Sequence, residues 1–150
     1  MTREVGAEIR ARRLLRETAG PEALEMYDRL GLLALEHESG EYGYLIYPHR
    51  PIVGYDARSG ELLSEYCLRF ADRSDPEEGE RLPDADDVLA KWLALRTDEE
   101  QALAIANVHR LGRQLDPQMV RRDLAAVREG LAAGLVMRGR SAGEAEERPV

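Results

Sequence analysis

Apolar residues follow two different spacings along this chain, and the changes of spacing mark its elements. Residues 3–18 are dominated by alanine, leucine, arginine and glutamate, which favour helix. Val5, Ile9 and Leu15 are the apolar points there, interrupted by Arg12, Arg13 and Arg16. Gly20-Pro21 breaks the chain, and proline suits the first position of a second helix over 21–30. Leu24, Met26, Tyr27 and Leu30 give that helix an inward face before Gly31 stops it.

From Leu32 to Phe70 the period shortens and β-formers dominate. Residues 32–37, 42–47, 52–55 and 62–70 read as four strands, separated by Glu38-Ser39-Gly40-Glu41, by Pro48-His49-Arg50-Pro51 and by Asp56-Ala57-Arg58-Ser59-Gly60. The last of these has Asp at its start and Gly near its end, which suits a type I turn closed by a left-handed residue. Such short connections force an antiparallel meander. In the fourth strand, alternation puts Leu62, Tyr66, Leu68 and Phe70 on one face and Glu65, Cys67 and Arg69 on the other.

Residues 72–82 form a polar, acidic loop without an apolar anchor and predict a mobile segment. Helix starts then recur. Pro83-Asp84 with Asp87 reads as a capped amino terminus ahead of Val88, Leu89, Trp92, Leu93 and Leu95. Thr97-Asp98-Glu99-Glu100 has capping-box spacing and opens a helix through Leu103, Ile105, Ala106 and Val108 to Gly112. Asp116-Pro117 opens a third, with Met119 or Val120, Leu124, Val127, Leu131 and Leu135 at helical spacing. The expected architecture is α+β: a roughly four-stranded antiparallel meander over about 32–70, with N-terminal helices and three C-terminal helices covering one face. Residues 1–137 make a single domain, and the glycine-, serine- and glutamate-rich residues 138–150 a disordered tail.

Composition narrows the function. A chain of 150 residues, 43% of them hydrophobic, has enough surface to bury a core without disulfides or metal. The single cysteine, Cys67, excludes an internal disulfide. No apolar run reaches the roughly 20 residues of a membrane span, and Met1-Thr2-Arg3-Glu4 lacks the order of a secretion signal, which points to the cytoplasm. The net charge of −8 speaks against nucleic acid as a partner. The charge is uneven: residues 72–100 carry eleven acids against four bases, and 107–140 seven arginines against three acids. Lys91 is the one lysine among 21 basic residues.

Candidate chemistry is sparse. No phosphate loop, dinucleotide fingerprint or nucleophile elbow is present. Asp84-Ala85-Asp86-Asp87 lacks the spacing of a calcium loop, and helix capping is the simpler account. His37, His49 and Glu41 hold a metal only if the first two strands bring them together, and Cys67 is a nucleophile only with a neighbouring base, so no metal, cofactor or catalytic residue is predicted. Five of six tyrosines (Tyr42, Tyr44, Tyr47, Tyr55, Tyr66) fall in the strand block, with His49 and Arg50 among them. Exposed on a sheet face, they form a contact surface; packed, they are ordinary strand residues. Arg121, Arg122 and Arg128 lie off the apolar stripe of the last helix, solvated or facing an acidic partner such as a second copy.

The run from the tyrosine-bearing strand through the hairpin with Cys67 near its end, Pro83-Asp84 with Asp87, Leu89-Ala90, Asp98-Glu99-Glu100 and Ala106-Asn107 resembles small uncharacterised bacterial proteins, actinobacterial or phage-borne, over residues 42–107. That resemblance implies no activity and no site. The expectation is therefore a non-enzymatic binding module with a protein partner, at Tyr42, Tyr44, Tyr47, His49 and Arg50 or at Arg121, Arg122 and Arg128. The alternative is a small enzyme or ligand-binding domain with a pocket between sheet and helices, lined by Tyr44, Tyr66, His49, His109 and Asn107. A third reading is nucleic-acid binding through Arg110, Arg113, Arg121 and Arg122.

Overall fold

The computed structural model describes residues 3–68 and 82–132. Arg69, Phe70, nearly all of the expected acidic loop and the expected tail lie outside the described residues. The first helix, α1 (Arg3–Ala19), is followed by α2 (Pro21–Leu30), with Pro21 at its start and Gly31 closing it in the left-handed region at φ 76°. Strands β1 (Leu33–Glu36), β2 (Tyr42–Ile46), β3 (Ile52–Asp56) and β4 (Leu62–Cys67) follow, then α3 (Asp84–Thr97), α4 (Glu99–Ile105), a fifth strand β5 (Asn107–Arg110) and α5 (Pro117–Ala132). The sheet is an antiparallel meander in the order β1-β2-β3-β4-β5.

Local chemistry sets the turns. Asp56 Oδ1 accepts from the backbone N–H groups of Arg58 (2.8 Å) and Ser59 (2.9 Å), and Gly60 at φ 80° completes the β3–β4 turn. Asp116 caps α5 by accepting from Gln118 N at 3.0 Å, with Pro117 next to it. The other caps differ from expectation. Asp98, not Thr97, caps α4, accepting from Gln101 N at 3.1 Å, while the Thr97 hydroxyl turns back to Leu93 O. At α3 the capping position is Pro83, without a side-chain hydrogen bond, and the acids occupy the first turn.

Two features overturn the expected sheet. Residues 107–110 are strand, not a continuation of helix: α4 stops at Ile105, Ala106 is extended, and Val108 pairs with Tyr66. The helix is also only seven residues long, too short to hold its own continuation against a strand edge offering a ladder of hydrogen bonds. The pairing of β3 with β4 also shifts by one residue between Val53 and Tyr55. This bulge sends Leu62 to the face opposite Tyr66, where alternation alone had placed them together.

Helices cover both faces, not one. On the first face Leu33, Leu35, Tyr44, Ile46 and Ile52 pack against Ala11 and Leu15 of α1, Val88, Leu89, Trp92 and Leu95 of α3, and Ala102 of α4. On the second, Leu32, Ala34, Leu45, Tyr47, Val53 and Tyr55 pack against Leu115 and against Val120, Leu124 and Val127 of α5. Burying an aliphatic side chain of this kind contributes about 1.5–3 kcal/mol, so the α5 stripe docks on the sheet and does not stand free. Helix α2 flanks the β1 edge, with Ala23 in the first core and Met26 in the second. The Tyr55 ring crosses Gly43 so closely that an added Cβ would lie 2.6 Å from its Cζ, which is why β2 carries a glycine at its second position.

Two buried ions tie loops to this frame. Lys91, 1% exposed, donates to Tyr47 O (2.8 Å), Arg50 O (2.9 Å) and Asp87 Oδ2 (2.7 Å), so its three protons are all engaged. Asp87 Oδ2 also accepts from His49 N at 2.7 Å, and this clamp holds His49 at φ 58°, uncommon for a residue with a side chain. On the other face Glu65, fully buried, accepts from the backbone N–H groups of Gly112 (3.0 Å), Gln114 (3.2 Å) and Leu115 (3.1 Å), and so shapes the loop leading into α5.

Candidate functional site

Four of the tyrosines share one device. Tyr27 donates to Glu8 (2.8 Å), Tyr42 (3.0 Å) and Tyr44 both donate to Glu99 Oε2, and Tyr47 donates to Asp123 (2.8 Å). Each ring packs in or beside a core while a carboxylate takes up the hydroxyl proton, as a buried phenol requires. Burial first, and then the carboxylate, pushes all four phenols upward, Tyr42 to about 12. Tyr44 and Tyr47, at 5% and 6% exposed and on opposite faces of the sheet, present no contact surface. That corrects the expectation of an open tyrosine face.

Titratable side chains also converge around Glu99, where the end of β1, the start of β2, the last turn of α3 and the first turn of α4 meet. A groove of about 190 Å³ there is lined by Leu35, His37, Glu38, Tyr44, Leu95, Arg96 and Glu99. The His37 ring stacks on Tyr42 with centroids 4.5 Å apart. Tyr42 meets Tyr44 edge-on at 5.8 Å, and Tyr44 meets Tyr66 edge-on at 6.2 Å. His37 Nδ1 accepts from Ser39 N at 3.1 Å, which assigns the ring proton to Nε2, 3.6 Å from Glu99 Oε1. That separation is beyond hydrogen-bond length. Arg96 is turned away onto Trp92, its guanidinium carbon 5.0 Å from the ring centroid. A larger groove of about 250 Å³ between α2 and α5 has Arg29 and Glu129 as its charged lining.

Of the residues expected to line a pocket, the groove has Tyr44, with Tyr66 behind it. His49 lies at the other end of β2, its Nε2 3.2 Å from Asp84 Oδ1 but out of line for a hydrogen bond, so the contact is ionic when the ring is protonated. His37 and His49 are thus separated by the length of β2, about 3.3 Å per residue, and no group of three metal-ligating side chains forms among the described residues. His109 and Asn107 sit on β5, where His109 pairs with Glu65 and Asn107 with Cys67. Arg50, Arg121, Arg122 and Arg128 are all exposed, and Arg128 reaches the β3–β4 turn, donating to Ala57 O at 3.3 Å. Glu99 was readable only as an acid in a helical first turn; its tyrosine partners lie 55 and 57 residues away, and no local spacing announces them.

The two sheet edges differ. All four residues of β1 are buried. On β5 Asn107, Val108 and Arg110 are exposed and His109 is half-buried. Val108 is 55% exposed, and Ile105 at 64% and Leu63 at 45% are also exposed. From Gln101 to Leu115 the chain has no acid, and Arg110 and Arg113 project from exposed positions.

No protein family, curated protein or solved structure matches this chain. No helix among the described residues is long and apolar enough to cross a membrane.

Proposed function

We propose that the chain is a protein-binding module that takes an extended, acidic segment of its partner as an additional strand along β5. The observation that carries this reading is that β5 is an edge of the sheet among the described residues, with Val108 exposed on it. A strand edge offers main-chain donors and acceptors at fixed intervals, and its side chains choose the sequence that adds to it. Leu63, next to the paired part of β4, and Ile105, two residues before β5, are also exposed. Arg110 and Arg113, in a stretch free of acids, favour a negatively charged strand. Exposed Arg121 and Arg122 on α5 add to the basic character of this half of the chain.

Selection of short peptides against the immobilised protein, followed by titration of the enriched sequences, tests the reading. The expected sequences alternate apolar and acidic residues. Val108→Asp weakens them at least about tenfold and the Arg110→Glu, Arg113→Glu double variant about threefold or more, with circular dichroism checking that both variants fold. No enrichment, or binding indifferent to Val108→Asp, overturns it. Concentration-dependent dimerisation abolished by Val108→Asp overturns the acidic partner and assigns the edge to a second copy.

A further inference from the structure

The Glu99 groove carries a second assignment that shares no residue with β5. We infer that it is a binding site for a small organic cation, an alkylammonium group of the kind that ends a lysine-like amine. Glu99 Oε2 is occupied by the hydroxyls of Tyr42 and Tyr44, whereas among the described residues Oε1 faces His37 Nε2, at 3.6 Å. A carboxylate oxygen accepts two or more hydrogen bonds, so Oε1 keeps its acceptor capacity in a groove of about 190 Å³. That volume equals about six waters at 30 Å³ each, enough for a short alkylammonium and below the usual size of a site for a larger ligand.

The walls suit that chemistry. Leu35 and Leu95 line the groove with apolar surface for a methylene stem. The two phenols fix the carboxylate in place before any ligand arrives, so little ordering remains to be done on binding. Glu38 adds negative charge at the lining, and Arg96, also at the lining, is engaged over Trp92.

Titration of the full chain with n-butylammonium chloride, followed by amide chemical shifts and compared with sodium butyrate at equal ionic strength, decides the matter. Saturable shifts at Leu95, Arg96 and Glu99 with the ammonium and none with butyrate are expected. Glu99→Gln, which still accepts from the phenols, weakens binding about tenfold or more. Arg96→Gln removes the competing positive charge and tightens binding about two- to fivefold. The signs separate the cases: an anion site loses affinity with Arg96→Gln and gains it with Glu99→Gln. Butyrate binding, non-saturable shifts, or an ammonium affinity unchanged by both substitutions overturns the assignment, and none of these outcomes bears on β5.

Discussion

Lys91 and Glu65 are both buried beyond the reach of water, on opposite sides of one sheet, and each fastens a loop, yet they are held by opposite means. Lys91 sits among two carbonyls and a carboxylate, so its charge has a counter-ion, Asp87, one helical turn away. Among the described residues Glu65 accepts from backbone N–H groups alone, gathered from a single loop. The first arrangement is an ion pair with two extra acceptors, while the second solvates an anion with peptide dipoles. The difference bears on repair. A side-chain partner can be changed together with its mate; a set of backbone amides cannot.

Glu65→Leu has the largest expected effect. It takes the acceptor from the buried Leu115 N–H and the part-buried N–H groups of Gly112 and Gln114, each worth about 1–3 kcal/mol when unsatisfied, and a loss of about 4 kcal/mol is expected in denaturant unfolding. Hydrogen exchange at Gly112, Gln114 and Leu115 speeds more than elsewhere. Lys91→Met leaves Asp87 buried without its counter-ion and lowers stability by about 3–4 kcal/mol. Adding Asp87→Asn to Lys91→Met, which removes the orphaned charge and keeps an acceptor for His49 N, restores about half of that. A double variant no better than Lys91→Met breaks the comparison. Lys91→Arg keeps the charge but forces a planar fork into a site built for three diverging protons, at about 1–3 kcal/mol.

The smallest effect is one of pH. Burial holds the Lys91 ammonium below its ordinary value, outweighing Asp87, which acts the other way. Between the lowered folded value and about 10.5 the unfolded chain binds more protons than the folded one, so this group raises stability as pH rises. The stability gap between the native chain and Lys91→Met therefore widens toward pH 10.5, and the gap to Glu65→Leu does not follow it. Tyr42 works in the opposite sense. With its phenol pushed to about 12, its contribution is complete below about pH 10 and is lost as pH rises from there toward 12. Absorbance of the phenolates during alkaline titration separates the two.

Local signals carried much of the frame and little of the site. Gly20-Pro21, the Asp56–Gly60 turn and the Asp116-Pro117 cap act within a few residues, and each does in the structure what its chemistry predicts. β5 was hidden because Leu103, Ile105, Ala106 and Val108 also fit a helical stripe, and only the waiting edge of β4 decides between the two. The bulge beside Val53 was hidden for the same reason: alternation is a property of one strand, whereas register belongs to two. β-Propensity does not distinguish exposed tyrosines from packed ones because it says nothing of what lies above a sheet, and α5 lies above Tyr47. Lys91 stood out as the chain's one lysine, but its role depends on carbonyls 41 and 44 residues away.

The solitary lysine gives the molecule a built-in reporter. An acylating reagent in neutral solution finds Lys91 only when α3 parts from the loop between β2 and β3, because the nitrogen is enclosed and its protons are shared among three oxygens. Covalent labelling at that position therefore counts openings of the protein's interior, one amide bond for each opening that lasts long enough to be caught.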